Sequence, residues 1–165
     1  MHAPSGMKAS GSHQPGPPPK GGAIAKERPG GRWRGHILVA DAENQITGTL
    51  KETLSDHDVE IETQPNEFLR RIDRGDPFDV ILCDVSMLQR IEPERWAQVA
   101  ARHPSRAARI VFVTGERMSE TARAALAAMP NLCVRRPFNV EGMRALVWRR
   151  TRERLSGPDS AGHEG

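Results

Sequence analysis

The apolar residues of this chain of 165 residues fall into short continuous runs and into longer segments with a helical period. Continuous runs bounded by polar residues or proline predict buried strands, at His36–Ala40, Val80–Asp84 and Arg109–Val113. Val59–Thr63 alternates apolar and polar residues, which is typical of a half-exposed edge strand. A short fifth strand is predicted at Leu132–Val134.

Five segments with a helical period alternate with these strands. The first spans about Glu43 to Ser55 and places Ile46, Leu50 and Leu54 on one face. The other four have capping or breaking residues at their ends. These are Asn66 and Gly75 for the second helix, Pro93 for the third, Ser119 for the fourth and Asn139 for the fifth.

Strands that alternate with helices predict βαβ units and a mainly parallel sheet. Five such units suit an α/β fold of three layers, a doubly wound open sheet with strand order 2-1-3-4-5. An eightfold barrel would need a far longer chain. In an open sheet of this kind, ligands bind beyond the carboxyl ends of the strands, where the strand order reverses.

The composition divides the chain into three parts. Residues 1–34, rich in Gly, Pro, Ser and basic residues, are predicted to be disordered, 35–154 to form one domain, and 155–165 to be a second loose tail. The first part has six of the 24 Lys and Arg residues but one of the 21 acidic residues, so it carries about +5 and the rest about −2. The nearly neutral domain argues against a nucleic-acid-binding function.

No apolar run is long enough for a secretory signal or a membrane span, so we expect a cytoplasmic protein without membrane contact. Cys83 and Cys133 each lie in an apolar run and lack the spacing of a metal site, which predicts two small core residues. The six histidines also lack ligand spacing.

The chemistry of the chain centres on an aspartate at the end of a buried strand. Asp84 follows Val80–Cys83, Asp41 ends the first strand, Thr114 follows the fourth and Arg136 the fifth. In the predicted strand order, the two aspartates are neighbours. Carboxylates about 4 Å apart repel by about 4 kcal/mol at an effective dielectric of about 20, so such a pair implies a shared proton or a cation such as Mg²⁺.

A carboxylate at this position can also attack phosphorus and form an aspartyl-phosphate. Asp84 would then be the nucleophile, with the Thr114 hydroxyl and the Arg136 cation binding phosphate oxygens. Simpler roles stay open. Asp84 could be a loop cap, Thr114 a hydrogen bonder at a strand end and Arg136 a solvated charge, while Asp41 could cap the first helix and still serve the site.

Four motifs in this order resemble the receiver domain of two-component response regulators: ILVADAE (37–43), DVILCDVSM (79–87), RIVFVTG (109–115) and VRRPF (134–138). The resemblance covers roughly residues 36–152. It implies a flavodoxin-like (βα)5 fold of the CheY type and a role in phosphorelay signalling. It also implies that the domain is not an enzyme in the usual sense, although it would catalyse its own phosphorylation and dephosphorylation.

The resemblance implies that Asp84 accepts a phosphoryl group from a histidine kinase or a phosphotransfer protein. Asp41, Asp84 and the backbone carbonyl of Ser86 would bind Mg²⁺, and Glu43 is a candidate additional ligand. Output would pass through contacts with an unknown downstream protein.

The match is incomplete at several positions, which predicts a partly degenerate site. Ala42 replaces an expected second acid, so the affinity for Mg²⁺ should be reduced. Thr114 matches the switch hydroxyl, but Arg136 stands in place of a phosphate-contacting lysine. Cys133 replaces the switch aromatic residue, and the sequence of 88–90 departs from the usual loop after the phosphoacceptor.

Two functions therefore stay open. One is a phosphoacceptor, and the other is a degenerate pseudo-receiver that binds partner proteins independently of phosphorylation. Cys133 and Trp148 are candidate residues of the partner face in either case. A nucleotide or flavin enzyme has little support, because ADAEN and no glycine-rich loop follows the first strand.

Overall fold

The computed structural model describes residues 26–27 and 33–156. Its central sheet has five parallel strands in the order β2-β1-β3-β4-β5, as predicted. The order reverses between β1 and β3, which places the topological switch point at their carboxyl ends. The strands are β1 (His36–Ala40), β2 (Asp58–Glu62), β3 (Val80–Asp84), β4 (Ile110–Thr114) and β5 (Cys133–Arg135).

Seven helices lie within the described residues. They are α1 (Thr47–Thr53), α2 (Pro65–Arg74), α3 (Val85–Gln89), α4 (Pro93–Arg102), α5 (Pro104–Ala108), α6 (Glu120–Ala127) and α7 (Val140–Ser156). None of these described helices combines the length and the apolar character that a membrane crossing requires. The five longest correspond to the predicted helices, whereas α3 and α5 were not predicted.

Helices cover both faces of the sheet, which confirms the three-layer α/β/α architecture. Successive strand residues point to opposite faces. On one face, Ile37 and Val39 pack with residues of α1 and α7. On the other, Leu38 and Ala40 pack with residues of α2, α4 and α6. Because β3 and β4 lie between these two layers, every residue in both strands is buried.

The capping residues mark three helix ends correctly and one wrongly. Gly75 ends α2 with a φ of 83°, a conformation that glycine adopts without strain. The side chains of Ser119 and Asn139 each accept a backbone hydrogen bond from the residue three positions later, at 3.1 and 2.7 Å. Asn66 is not a cap, because it lies inside α2, which begins at Pro65. Proline is favoured in the first turn of a helix, since the N–H groups there have no partner in the helix and proline has none to satisfy.

Several boundaries differ from the predictions. α1 begins at Thr47 and not at Glu43, since Asn44 has a left-handed φ of 56° that interrupts the helix. α7 runs to Ser156, two residues beyond the predicted domain. Lys26–Glu27 pairs antiparallel with Trp33–Arg34, inside the segment that was predicted to be disordered. The other residues of 1–34 and residues 157–165 lie outside the described part of the chain.

The two cysteines have different environments. Cys83 is fully buried in β3, as predicted, but Cys133 is exposed, so its assignment to the core was wrong. β5 is an edge strand of three residues, and of these Val134 is the one that packs against a core cluster. An apolar run at the edge of a sheet is therefore not necessarily covered.

The unpredicted helix α3 follows β3 without a loop. Its first four residues are buried. Leu88 and Gln89 also line an apolar groove of about 250 Å³, together with residues of α4 and α6 that include Trp96 and Ala122. α3 therefore connects the end of the central strand to this groove.

Candidate functional site

Asp84 lies at the carboxyl end of β3 and is almost completely buried, with 1% of its surface exposed. Its carboxylate oxygen Oδ2 accepts a hydrogen bond of 2.9 Å from the backbone N–H of Ser86, and Asp84 is thereby the N-cap of α3. The other oxygen, Oδ1, has no hydrogen-bond partner among the described residues. A buried acceptor without a partner is costly, and it marks this oxygen as a candidate contact for a ligand.

The carboxylate lines a cleft of about 750 Å³ at the carboxyl edge of the sheet. Three further predicted site residues, Arg136, Glu43 and Ser86, also line the cleft. Sequence reasoning missed other residues that lie there, because their approach to one cleft depends on the fold and leaves no local pattern. These are Gln45, Ile46, Thr49, Val85, Gln89, Gly115, Glu116, Arg117, Pro137 and Phe138.

Asp41 lies next to Asp84, since β1 and β3 pair in a register that sets Ala40 beside Cys83. Its carboxylate is fully buried and accepts four hydrogen bonds from residues at and just before the start of α1. The donors are the backbone N–H groups of Gln45, Ile46 and Thr47 at 3.0, 2.8 and 2.9 Å, and the Thr47 hydroxyl at 2.7 Å. The residue in the N-cap position of α1 is Ile46, so Asp41 anchors the turn that leads into the helix and is not its N-cap residue.

Arg136 extends into the cleft from the end of β5. Its Nε atom lies 3.8 Å from Asp84 Oδ1, and its Nη1 atom donates a hydrogen bond of 3.3 Å to Gln45 Oε1. Nε is buried and has no hydrogen-bond partner within the described part of the chain. Its backbone N–H donates to the carbonyl of Thr114 at 2.8 Å, which fixes the base of the side chain on β4.

The electrostatic environment favours the neutral form of Asp84. Burial raises the pKa of its carboxyl group above the ordinary value of 3.8, because an apolar environment disfavours the charged form. Hydrogen bonding from Ser86 lowers this pKa, the nearby charge of Asp41 raises it, and the Arg136 guanidinium lowers it. The increase from burial is the largest of these effects.

Three other predicted site residues have neighbours that limit their roles. Thr114 is buried and does not line the cleft, so a switch role for its hydroxyl stays a prediction. Glu43 forms an ion pair of 2.7 Å with Arg90. Ser86 lies in the first turn of α3 and lines the cleft, and a metal-ligand role for its backbone carbonyl stays a prediction.

These neighbours do not fit Mg²⁺, which prefers six oxygen ligands at about 2.1 Å. Asp41 is used by α1, Ala42 has no ligand atom, and Glu43 is paired with Arg90. Asp84 Oδ1 remains, with a guanidinium beside it. No group of three or more His, Cys, Asp or Glu side chains in the described residues could hold a metal ion.

The two candidate residues of the partner face, Cys133 and Trp148, are both exposed. Cys133 is in β5, and Trp148 in α7 has 38% of its surface exposed. The guanidinium of Arg152 lies 5.5 Å from the Trp148 ring centre, which is a cation–π distance. Leu132 is a further exposed apolar residue next to Cys133.

No protein-family model and no curated protein matches the chain. Solved structures do match it. A CheY-like response regulator receiver domain from Methanospirillum hungatei JF-1 is 20% identical with a TM-score of 0.54, over 78% of this chain and 99% of that one. A receiver domain from Clostridium thermocellum is 20% identical with a TM-score of 0.56, over 72% and 95%. The chain has the receiver fold.

An adenylate cyclase structure from Rhodopirellula baltica also matches, with 22% identity and a TM-score of 0.53 over 74% of this chain and 90% of that one. Identities of this size show the fold alone. The fold predicted from the four motifs is thus confirmed, whereas the chemistry of the receiver cleft has to be argued from its own residues.

Proposed function

We propose that this domain is a signalling module of the receiver type that acts through protein contacts and does not depend on phosphorylation. The observation that carries the proposal is the set of neighbours around Asp84, which lacks the oxygen ligands of a Mg²⁺ site. Phosphoryl transfer depends on cations that neutralise the charge developing on the phosphate oxygens. One guanidinium beside one carboxylate supplies part of that neutralisation.

The proposal includes a role outside classical enzymes, although one structural neighbour is named an adenylate cyclase. Receiver domains with known structures share the fold, and this supports a signalling role. We also propose histidine kinases or phosphotransfer proteins as partners, a cytoplasmic location, and a partner face that contains Cys133 and Trp148.

A phosphoacceptor with a weak requirement for Mg²⁺ is the second candidate function. The unpartnered oxygen Oδ1 of Asp84 favours it, because that oxygen lines a cleft with room for a phosphoryl group. Arg136 would then contact the phosphoryl oxygens, and Thr114 would supply the switch hydroxyl.

Acetyl phosphate separates the two candidates. The full chain and its Asp84→Asn variant are incubated with acetyl phosphate, with and without Mg²⁺, and analysed by intact-protein mass spectrometry. We expect no phosphoryl adduct on either protein. An adduct on the wild type that is absent from Asp84→Asn would replace the leading proposal with the second.

Binding measurements test the partner face directly. Histidine kinase and phosphotransfer domains from the source organism are titrated against the wild type, Asp84→Asn and Trp148→Ala. We expect Asp84→Asn to bind a partner as the wild type does and Trp148→Ala to bind more weakly. A partner that requires Asp84 but tolerates Trp148→Ala would contradict the proposal.

A further inference from the structure

Gly115 follows β4 at the edge of the cleft, and the space around it is taken by a side chain from another strand. A Cβ atom at this position would clash with Nη2 of Arg136 and lie 3.0 Å from its Cζ. The φ of Gly115 is outside the left-handed region, so the backbone does not demand glycine. A side chain at this position would instead make the guanidinium of Arg136 move from its place over Gly115.

The guanidinium that passes over Gly115 bridges two sides of the cleft. It reaches Gln45 in the loop before α1 and comes within 3.8 Å of Asp84 at the end of β3. A guanidinium keeps its positive charge at any physiological pH. Arg136 thus provides a permanent cation beside Asp84, whose buried oxygen Oδ1 has no hydrogen-bond partner among the described residues.

The cleft also lacks one acidic side chain that a divalent cation would use as a ligand. Ala42 follows Asp41, where the receiver resemblance leads one to expect a second acid. A cation fixed beside Asp84 also repels any metal ion that approaches it, because like charges repel at short distance in a partly buried cleft. Both the missing acid and the fixed cation lower the affinity of the cleft for a divalent metal ion.

We propose that Arg136, admitted to the cleft by Gly115, is a built-in cation that takes the place of a bound divalent metal beside Asp84. This inference rests on the proposed function, since it explains how the domain does without Mg²⁺. Gly115 is a positioning residue that acts through Arg136. The inference predicts that Mg²⁺ binding can be restored by replacing the missing acid and removing the guanidinium.

The test measures Mg²⁺ affinity by isothermal titration calorimetry on the full chain at constant ionic strength. Ala42→Asp serves as the parent, and three second substitutions are added to it: Arg136→Gln, Gly115→Ala and Gly48→Ala. Gly48 is the matched control, because a Cβ atom there meets nothing within 4 Å. Circular dichroism and thermal unfolding check that each variant is folded.

We expect no measurable Mg²⁺ binding by the wild type and weak binding by the Ala42→Asp parent. Adding Arg136→Gln should tighten binding by about tenfold or more, since it removes the repulsion. Gly115→Ala should give a smaller gain, because it displaces the guanidinium but leaves its charge in the protein. Gly48→Ala should bind Mg²⁺ as the parent does, because its new methyl group contacts nothing. A change in affinity caused by glycine replacement in general would appear in this control as well.

Equal Mg²⁺ affinity in the parent and its Arg136→Gln derivative would overturn the inference, and so would tight binding by the wild type. If the Gly115→Ala protein does not fold, the Arg136→Gln comparison still decides, because it leaves the backbone unchanged. The proposed function fails separately. Phosphorylation of wild-type Asp84 without Mg²⁺ would refute it while leaving the built-in cation intact.

Discussion

The ends of β1 and β3 carry the same residue in neighbouring positions, yet their surroundings differ. Asp41 accepts four hydrogen bonds from residues 45–47, at and just before the start of α1, whereas Asp84 accepts one, from Ser86. Both carboxylates are buried, but Asp84 alone lines the cleft. Two buried aspartates at one edge of a sheet can thus have separate purposes, one in holding the backbone and the other in facing a ligand or partner.

The number of donors explains the difference. Backbone N–H groups at a helix start have no partner within the helix, so a carboxylate placed there receives several of them at once. Asp41 meets such a start directly. Asp84 caps α3 with a single bond, and its second oxygen is left to Arg136 at a distance too long for a hydrogen bond.

Asp41→Ala should have the largest effect. It leaves three backbone N–H groups at and just before the start of α1 without their acceptor, and we expect a loss of about 2–4 kcal/mol in the free energy of unfolding. Urea denaturation followed by circular dichroism measures the loss. Asp41→Asn keeps an acceptor oxygen and should lose roughly half as much. A loss below about 0.5 kcal/mol for Asp41→Ala would erase the contrast with Asp84.

Asp84→Asn should act in the opposite direction. The amide oxygen keeps the bond from Ser86, and the buried charge is removed, so we expect a gain in the free energy of unfolding at neutral pH. The pKa of Asp84 is raised in the folded state, so its ionisation costs stability as the pH rises from 3.8 through the folded-state value. Below 3.8 the carboxyl is neutral in both states.

Urea denaturation of the wild type and Asp84→Asn at a series of pH values tests this sign. The advantage of the variant should be full above the folded-state pKa and should shrink to nothing as the pH falls toward 3.8. An advantage that grows on acidification would mean that Arg136 lowers the pKa of Asp84 more than burial raises it.

Glu43→Gln should have the smallest effect. Its ion pair with Arg90 is about half exposed on both sides, and such pairs contribute less than about 0.5 kcal/mol. A double-mutant cycle with Arg90→Gln measures the coupling, which should disappear at high salt. A larger coupling that persists in salt would show that Glu43 shares the structural role of Asp41.

The sheet could be predicted from sequence because its strands are distinct in pattern. Val80–Asp84 and Arg109–Val113 are continuous apolar runs, and both correspond to strands that are buried on two faces. The short helix α3 was missed, because five residues that are nearly all buried show no helical period. The one signal for α3 is Asp84 itself, which is its N-cap residue and was interpreted as a reactive group, with a loop cap as the alternative.

The candidate site was harder to predict because its contacts join distant residues. Asp84 and Arg136 were placed at the same edge by strand order, which is a property of the fold. The approach of Arg136 to Gly115 spans two strands, and the pairing of Glu43 with Arg90 spans two loops. No local pattern encodes such pairings. Ser86 was assigned from the family resemblance, and the structure places it in the short helix α3.

α3 continues directly from the end of the central strand β3. At about 1.5 Å per residue, its five residues span about 7 Å, from the hydrogen bond at Asp84 to Gln89. Gln89 borders both the polar cleft and the apolar groove beside α4 and α6. A rotation of the Asp84 carboxylate would break its bond to Ser86 and free the N-terminal end of α3. A ligand bound in the apolar groove would contact the C-terminal end of the same helix.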